Sequence, residues 1–314
     1  MRLPPSAATR TSWWSARVRN VYPLLEAAIA GYEGREHRVA FPHDLSEPGI
    51  DRMICHQYET LFIHIPKCAG QSVEQTFLSS LGLSWETRAP LLMRPNDRPE
   101  LGPPRLAHLH AVDYVRYKYM SELQFSKYGK FCFVRNPWDR TVSFYKYLRY
   151  QRYCDFNYFV KRILCQTLVR DQKWFYGPQA DFFLNEDGNV VVDYIGRFET
   201  LEEDFRTIRR MFKLPLADLP HANKSRSEAW LPVFSVKNVP YFAFYWLTGK
   251  RIRNAADYRD FYDGESKRVV ARIYEKDIDF LKYTFDGTEV PPGVGRETAV
   301  GRARRARFIR EGCH

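Results

Sequence analysis

The chain has 314 residues, 45% of them hydrophobic and 16% aromatic, which excludes a disordered or fibrous protein and indicates a globular core. Lysine and arginine total 48 against 37 aspartate and glutamate, and the resulting charge of +11 indicates an anionic partner: nucleic acid, membrane surface, polyanion or charged nucleotide. The six cysteines have no metal-binding or disulfide spacing. The sequence has no run of about 18 apolar residues, so it predicts no membrane span. Residues 1–20 have no signal-peptide pattern, so we expect a soluble protein with reduced cysteines.

Apolar runs in the first half of the chain alternate with polar or proline-rich breaks. A short, almost continuous apolar run is typical of a buried parallel strand, and apolar residues at four-residue spacing predict a helix. In chain order these patterns predict a helical stretch at 21–30, a strand at 61–65, a helix from Ser72 with Val73, Phe77 and Leu81 on one face, a proline-rich loop at 84–107, a helix at 111–119, a strand at 131–134 and a helix at 138–150.

The second half of the chain begins with an aromatic, basic stretch at 151–183 that we expect to be helical. A strand at 190–198, a helix at 201–212 and a last helix at 265–283 follow, and after Pro291 the composition changes to glycine, arginine and alanine. The sequence therefore predicts an N-terminal extension at 1–58, an α/β domain at 59–290 and a basic tail at 291–314. We expect the tail to be solvated and mobile, and an electrostatic tether is the alternative.

The loop from Pro66 to Ser72 joins a predicted strand to a predicted helix. Backbone N–H groups are unpaired at a helix N-terminus, and the helix dipole is positive there. Lys67 adds a charge, Gly70 allows a ligand to approach the backbone, and Ser72 adds a hydroxyl donor. Together these features predict an anion-binding loop. An ordinary strand–helix turn with a surface lysine explains the same residues, and the Walker A pattern GxxxxGK[ST] is absent from this loop.

A second polar segment, Arg135-Asn136-Pro137, follows the strand predicted at 131–134. Ligands of open α/β sheets bind at the carboxyl ends of the strands, where Arg135 stands, and its planar guanidinium suits a phosphate. Ser143 lies about two turns into the next helix and could donate to the same phosphate. The alternative is a salt-bridged arginine and a serine on a helix surface.

These two segments resemble the donor-binding signature of the carbohydrate-type sulfotransferases, the family of the heparan sulfate 2-O-sulfotransferases and chondroitin sulfotransferases, with bacterial relatives. Four further segments, at 194–205, 221–225, 258–262 and 274–283, are also similar, so the resemblance covers about residues 60–285 in the family's order. It implies a P-loop NTPase-like fold, a parallel sheet flanked by helices, and 3′-phosphoadenosine 5′-phosphosulfate (PAPS) as sulfuryl donor.

The resemblance also implies donor-binding residues. Those for the 5′-phosphosulfate are Lys67, Cys68, Ala69, Gly70, Gln71 and Ser72; those for the 3′-phosphate are Arg135 and Ser143; and Asn223 and Ser225 would close over the donor. Gln71 departs from the family, which usually has threonine or serine there, so one hydroxyl contact is lost.

Sulfuryl transfer resembles phosphoryl transfer and needs a base, a cation on the leaving phosphate and an aligned acceptor. Lys67 supplies the cation, and no carboxylate cluster in the sequence indicates a metal. Related sulfotransferases carry essential histidines between the two donor segments, so we predict His110 as the base, with His108 as a support or acceptor contact. The alternatives are buried structural histidines or two zinc ligands. His64, within the first strand, is predicted to be structural.

The sequence therefore predicts a PAPS-dependent O-sulfotransferase, with a carbohydrate hydroxyl as acceptor by resemblance. A nucleotide kinase and a non-catalytic basic nucleic-acid-binding protein are the alternatives. We expect a bacterial cytoplasmic protein without nucleic-acid partners, in which the basic tail could contact an anionic surface.

Overall fold

A mixed five-stranded sheet lies at the centre of this computed structural model, which describes residues 54–84, 96–152, 154–169, 172–219, 257–288 and 296–311. The strands, in order across the sheet, are β1 Ile54–Cys55, β2 Thr60–Ile63, β3 Gly129–Val134, β4 Tyr194–Arg197 and β7 Arg296–Glu297; β5 Tyr283–Thr284 and β6 Gly287–Thr288 form a separate antiparallel hairpin.

The three central strands are parallel. Phe62 of β2 lies opposite Phe131 of β3, which in turn lies opposite Tyr194 of β4. Every residue of these strands is buried, which explains their almost continuous apolar runs. The strands predicted at 61–65 and 131–134 are confirmed to within two residues at each end, and the one predicted at 190–198 is shorter.

The two edge strands are antiparallel to their neighbours, with Ile54 opposite Leu61 and Arg296 opposite Ile195. The sheet is therefore mixed, whereas the sequence predicts a parallel one. The α/β class, with helices flanking the sheet, is confirmed.

The helices agree with the sequence prediction where an apolar face is long. The predicted helices from Ser72, at 138–150 and at 201–212 are present, whereas the one at 111–119 is a single turn and the one at 265–283 is broken at Tyr274. The predicted helical stretch at 151–183 is a series of short pieces.

The α-helices are α1 Gly70–Ser80, α2 Asp113–Arg116, α3 Glu122–Lys127, α4 Pro137–Tyr147, α5 Phe156–Tyr158 (continued by a π-helix at Phe159–Leu168), α6 Lys173–Tyr176, α7 Leu201–Met211, α8 Gly264–Ile273, α9 Glu275–Leu281 and α10 Ala299–Glu311.

Both predicted domain boundaries differ from the structure. Strand β1 belongs to the sheet although the sequence places it in the extension at 1–58. The prediction of a solvated tail from 291 is wrong for 296–304, because β7 pairs with β4 and Arg304 Nε donates to Asp193 Oδ1 at 2.8 Å. Edge strands of two residues are too short to have a periodic pattern, so they leave no signal in the sequence.

None of the helices in the described ranges is long and apolar enough to cross a membrane. The helical stretch predicted at 21–30 lies outside the described residues. Of the predicted proline-rich loop, residues 96–107 hold two short 3₁₀ turns, at 99–101 and 106–108.

Candidate functional site

The loop between β2 and α1 has an unusual backbone. Lys67 and Ala69 adopt left-handed conformations, with φ of 68° and 65°, and Ala69 caps α1 by accepting a hydrogen bond from Ser72 N at 3.0 Å. Left-handed backbone is uncommon for residues other than glycine, costs about 1–3 kcal/mol, and is concentrated at ligand-binding sites. Left-handed residues in such turns also direct successive N–H groups toward one point, as in anion-binding nests.

Gly70 and Cys68 of this loop contribute backbone rather than side chain. A Cβ on Gly70 would lie 1.8 Å from His64 Nε2, so only glycine fits against that ring. Cys68 is buried and its Sγ lies 3.2 Å from Gln179 Oε1, which turns the thiol toward the protein interior. Burial raises the pKa of Cys68 to about 12, so the thiol is neutral and unreactive at physiological pH.

Arg135 joins this loop to the loop that follows β3. Its Nη1 donates to the carbonyl oxygen of Lys67 at 3.3 Å, and its Nε donates to Asp139 Oδ2 at 2.8 Å. The guanidinium also lies over the ring of Phe198, 4.0 Å from its centroid. The two polar segments that follow neighbouring parallel strands are therefore in direct contact, as the strand-end rule predicts.

Lys67 extends along α4, with Nζ 3.9 Å from the centroid of Tyr147. Burial, followed by the charge of Arg135, lowers the pKa of Lys67 to about 8. The positive charges of Lys67 and Arg135 repel each other, and a bound anion would relieve that repulsion.

Ser143 lies on the same face of α4 as the residues that contact the side chains of Arg135 and Lys67. Asp139, Ser143 and Tyr147 follow one another at four-residue spacing, which places them in a row along the helix. The first binds Arg135 and the last packs on Lys67. Ser143, half-buried, lies between them along the helix.

Behind the loop lies a buried network that the sequence analysis missed. Arg140 is fully buried and donates to the carbonyl oxygens of Pro66, Phe175 and Gly177, at 3.0, 3.2 and 2.9 Å. It thereby fixes the start of the loop between β2 and α1 to the turn after α6. The sequence shows Arg140 five residues after Arg135, but nothing in the sequence shows which carbonyl groups it meets.

Gln179 and Asp277 complete this network. The side chain of Gln179 accepts from Arg135 N at 2.8 Å and donates to Arg135 O at 2.8 Å. Asp277, fully buried, accepts from the backbone of Gln179 and Ala180 at 2.9 and 2.8 Å. Burial raises the pKa of Asp277, while Arg140 and these hydrogen bonds oppose that rise.

The histidines lie in two different surroundings. His64 Nδ1 is 2.5 Å from Glu74 Oε1, and His108 Nδ1 is 3.1 Å from the carbonyl oxygen of His64. His110 instead lies 3.8 Å from Asp113 and packs edge-on against Phe182.

Asn223 and Ser225 lie outside the described residues. Within the described residues, no group of three or more histidine, cysteine, aspartate or glutamate side chains is arranged to hold a metal ion.

Comparisons with known proteins indicate the family of this chain. A sequence model of the sulfotransferase family matches residues 51–284, which include both strand-end loops, α4 and the buried network. An uncharacterized protein from Archaeoglobus fulgidus is 37% identical over 92 residues, which make up 29% of this chain and 72% of that relative. No solved structure matches the chain.

Proposed function

This chain belongs to the sulfotransferase family, and on that premise we propose that it transfers a sulfuryl group from PAPS to a hydroxyl group, with a carbohydrate as the acceptor class. The observation that carries the proposal is the contact between Arg135 and Lys67, which joins two cationic loops at the carboxyl ends of neighbouring parallel strands. A donor with two separate anionic groups fits such a pair of loops better than a single phosphate does. The proposal includes a P-loop NTPase-like arrangement of the sheet and loops.

The donor's two anionic groups are assigned to different loops. Lys67 and the backbone N–H groups from Cys68 to Ser72 hold the 5′-phosphosulfate, and Arg135 with Ser143 holds the 3′-phosphate. Gln71 offers its N–H and its amide in place of the family's usual hydroxyl. Asn223 and Ser225 are proposed to close over the donor.

The reaction is an in-line displacement at sulfur. The acceptor oxygen forms a bond to sulfur while the bond from sulfur to the phosphate oxygen breaks, and the electron pair leaves with 3′-phosphoadenosine 5′-phosphate (PAP). Lys67 stabilises the charge that develops on the leaving oxygen. A histidine of the segment from His108 to His110 takes the proton of the acceptor hydroxyl. Sulfuryl transfer of this kind needs positioning and charge stabilisation more than covalent catalysis.

Ligand-induced thermal stabilisation tests the donor assignment. We expect PAP to raise the melting temperature of the full chain more than ATP or an oligonucleotide of equal concentration, and Arg135→Lys to remove most of that shift. Arg206→Lys, an exposed arginine on α7, is the matched control and should keep the shift. Stabilisation by ATP with magnesium but not by PAP would instead favour a nucleotide kinase, and stabilisation by the oligonucleotide alone would favour a nucleic-acid-binding protein.

Transfer of radiolabelled sulfate from PAPS to a panel of neutral and acidic glycans then tests the reaction itself. Label in a glycan fraction is the expected result. Label in none of the glycans, with normal PAP binding, would refute the carbohydrate acceptor.

A further inference from the structure

Two histidines and a glutamate are buried together beside the donor loop. His64 and His108 each expose 8% of their surface and Glu74 exposes 5%. The ring of His64 is hydrogen-bonded to the carboxylate of Glu74, and the backbone carbonyl oxygen of His64 is hydrogen-bonded to the ring of His108. Buried titratable groups are destabilising unless they are paired, so such a cluster next to a ligand-binding loop indicates a role in the chemistry.

The pairing of Glu74 with His64 fixes the first ring. A carboxylate oxygen can only accept, so Nδ1 of His64 carries the proton in this 2.5 Å hydrogen bond. The opposite edge of the ring, with Nε2, lies against Gly70 in the first turn of α1. Glu74 is one turn further along α1, so the pair ties the end of β2 to the start of the helix.

The contact with His64 fixes the protonation of His108. A backbone carbonyl also only accepts, so Nδ1 of His108 donates to the carbonyl oxygen of His64 and carries the ring's proton. Burial, and then the neighbouring His64, hold the pKa of His108 well below its usual value, with smaller contributions from the cations Arg105 and Arg140. His108 is therefore neutral near pH 7, and the lone pair of the neutral ring is on Nε2, which can accept a proton.

Packing holds the His108 ring on three sides. The ring of His64 meets it edge-on at 4.5 Å between centroids, Trp174 is stacked on it at 5.9 Å, and Phe175 lies edge-on at 5.7 Å. The ring of His110 packs edge-on against Phe182; burial lowers its pKa as well, but the carboxylates of Asp113 and Asp181 oppose that change.

We propose that Nε2 of His108 takes the proton of the acceptor hydroxyl, and that His64 and Glu74 are its positioning residues. The inference rests on the proposed sulfuryl transfer and assigns the base to His108 in place of His110, which the sequence favours. As the acceptor oxygen bonds to sulfur, its O–H bond breaks and the proton moves to Nε2, while the electron pair of the breaking S–O bond leaves with PAP. The imidazolium that forms at His108 keeps its Nδ1 hydrogen bond to the His64 carbonyl oxygen, and Glu74 holds His64 in place.

Asparagine at position 108 is a suitable test because it can still donate to the His64 carbonyl but has no basic nitrogen. We expect His108→Asn to lower kcat by about 100-fold or more, the range typical of a lost general base, with the Kd of PAP within about twofold of the parent value. Added imidazole should restore part of the activity of His108→Ala. His110→Asn tests the rival assignment and should lose less than about tenfold.

Glu74→Gln tests the positioning role, because it keeps a hydrogen-bond acceptor for His64 and removes the charge. We expect kcat to fall about tenfold with an unchanged Kd for PAP, and the double variant Glu74→Gln/His108→Asn to be no slower than His108→Asn alone, because residues that act as a unit are non-additive. A purely structural role would weaken PAP binding and give additive losses.

The proposal is overturned if His108→Asn keeps kcat within about fivefold of the parent, or if His110→Asn alone abolishes transfer. PAP-induced stabilisation shows that each variant is folded. Failure of the parent chain to bind PAP or to transfer sulfate would refute the proposed function, whereas an active His108→Asn variant would refute only this inference.

Discussion

At the scale of single residues, Lys67 links the charge of the site to pH. Burial lowers its pKa to about 8, so the free protein begins to lose this positive charge just above neutrality. A bound phosphosulfate would favour the protonated lysine and raise its pKa. We therefore expect the proposed donor binding to be strongest below pH 8 and to weaken as the pH rises through that value.

We accordingly expect the Kd of PAP to be nearly constant from pH 7 to 7.5 and to rise by up to about tenfold per unit above pH 8. Titration calorimetry between pH 7 and 9.5 measures this, in a range where the phosphates, with a second pKa near 6, keep a constant charge. Lys67→Arg should bind PAP with little pH dependence. The same slope in that variant would show that another group titrates.

Gly70 shows how closely the loop after β2 packs against the ring of His64. A Cβ at this position would lie 1.8 Å from Nε2 of His64, a buried ring held by Glu74 that has little room to move. We expect Gly70→Ala to destabilise the protein by about 2 kcal/mol or more, as overpacking in a core does, and to reduce transfer because His64 shifts.

Thermal unfolding of Gly70→Ala beside Gly264→Ala measures this effect. Gly264 is the first residue of α8, where a Cβ would meet only Arg268 Nη1 at 3.7 Å, so its substitution should leave the melting temperature unchanged or slightly higher. An equally stable Gly70→Ala protein would contradict the packing described for the loop.

At the scale of elements, Arg140 of α4 connects the end of β2 to the turn that follows α6. Its guanidinium satisfies three carbonyl groups at once and faces the buried charge of Asp277. Lysine keeps the charge but cannot make three planar hydrogen bonds. We expect Arg140→Lys to lower the free energy of unfolding by about 2–4 kcal/mol, because buried carbonyl groups lose their donors.

Urea unfolding at equilibrium is the measurement for Arg140→Lys. The exposed substitution Arg206→Lys on α7 should change the stability by less than about 0.5 kcal/mol. Similar values for the two variants would mean that the three carbonyl groups find water or other donors.

The sequence was informative for elements that are defined by local patterns. Strands β2 and β3 have continuous apolar runs, and the strand-end rule correctly brought Arg135 to the loop of Lys67. The partners of Arg140, Gln179 and Asp277 are 35 to 111 residues away along the chain and leave no periodic signal. The contact between Glu74 and His64 likewise has no signal in the sequence, because only the fold shows that α1 turns this carboxylate toward the end of β2.

At the scale of the whole molecule, the C-terminal segment closes one edge of the sheet. Thr298 N donates to the carbonyl oxygen of Asp193 at 3.0 Å, and Arg304 Nε donates to the fully buried side chain of Asp193. The carboxylate of Asp193 also accepts from Lys130 N at 2.7 Å. Part of the positive charge near the C-terminus therefore neutralises a buried carboxylate in the fold.

Removal of residues 291–314 should expose the edge of β4 and leave Asp193 without Arg304. An exposed edge strand favours self-association, and loss of about 2 kcal/mol in a domain of this size lowers the melting temperature by about 4–8 °C. We expect the truncated chain to melt at least that much earlier and to form larger species in light scattering. Arg304→Ala should reproduce part of the destabilisation, whereas Arg302→Ala, an exposed arginine on the same helix, should not. If truncation at 290 leaves the melting temperature unchanged and light scattering detects no larger species, the segment is the solvated tail that composition alone predicts.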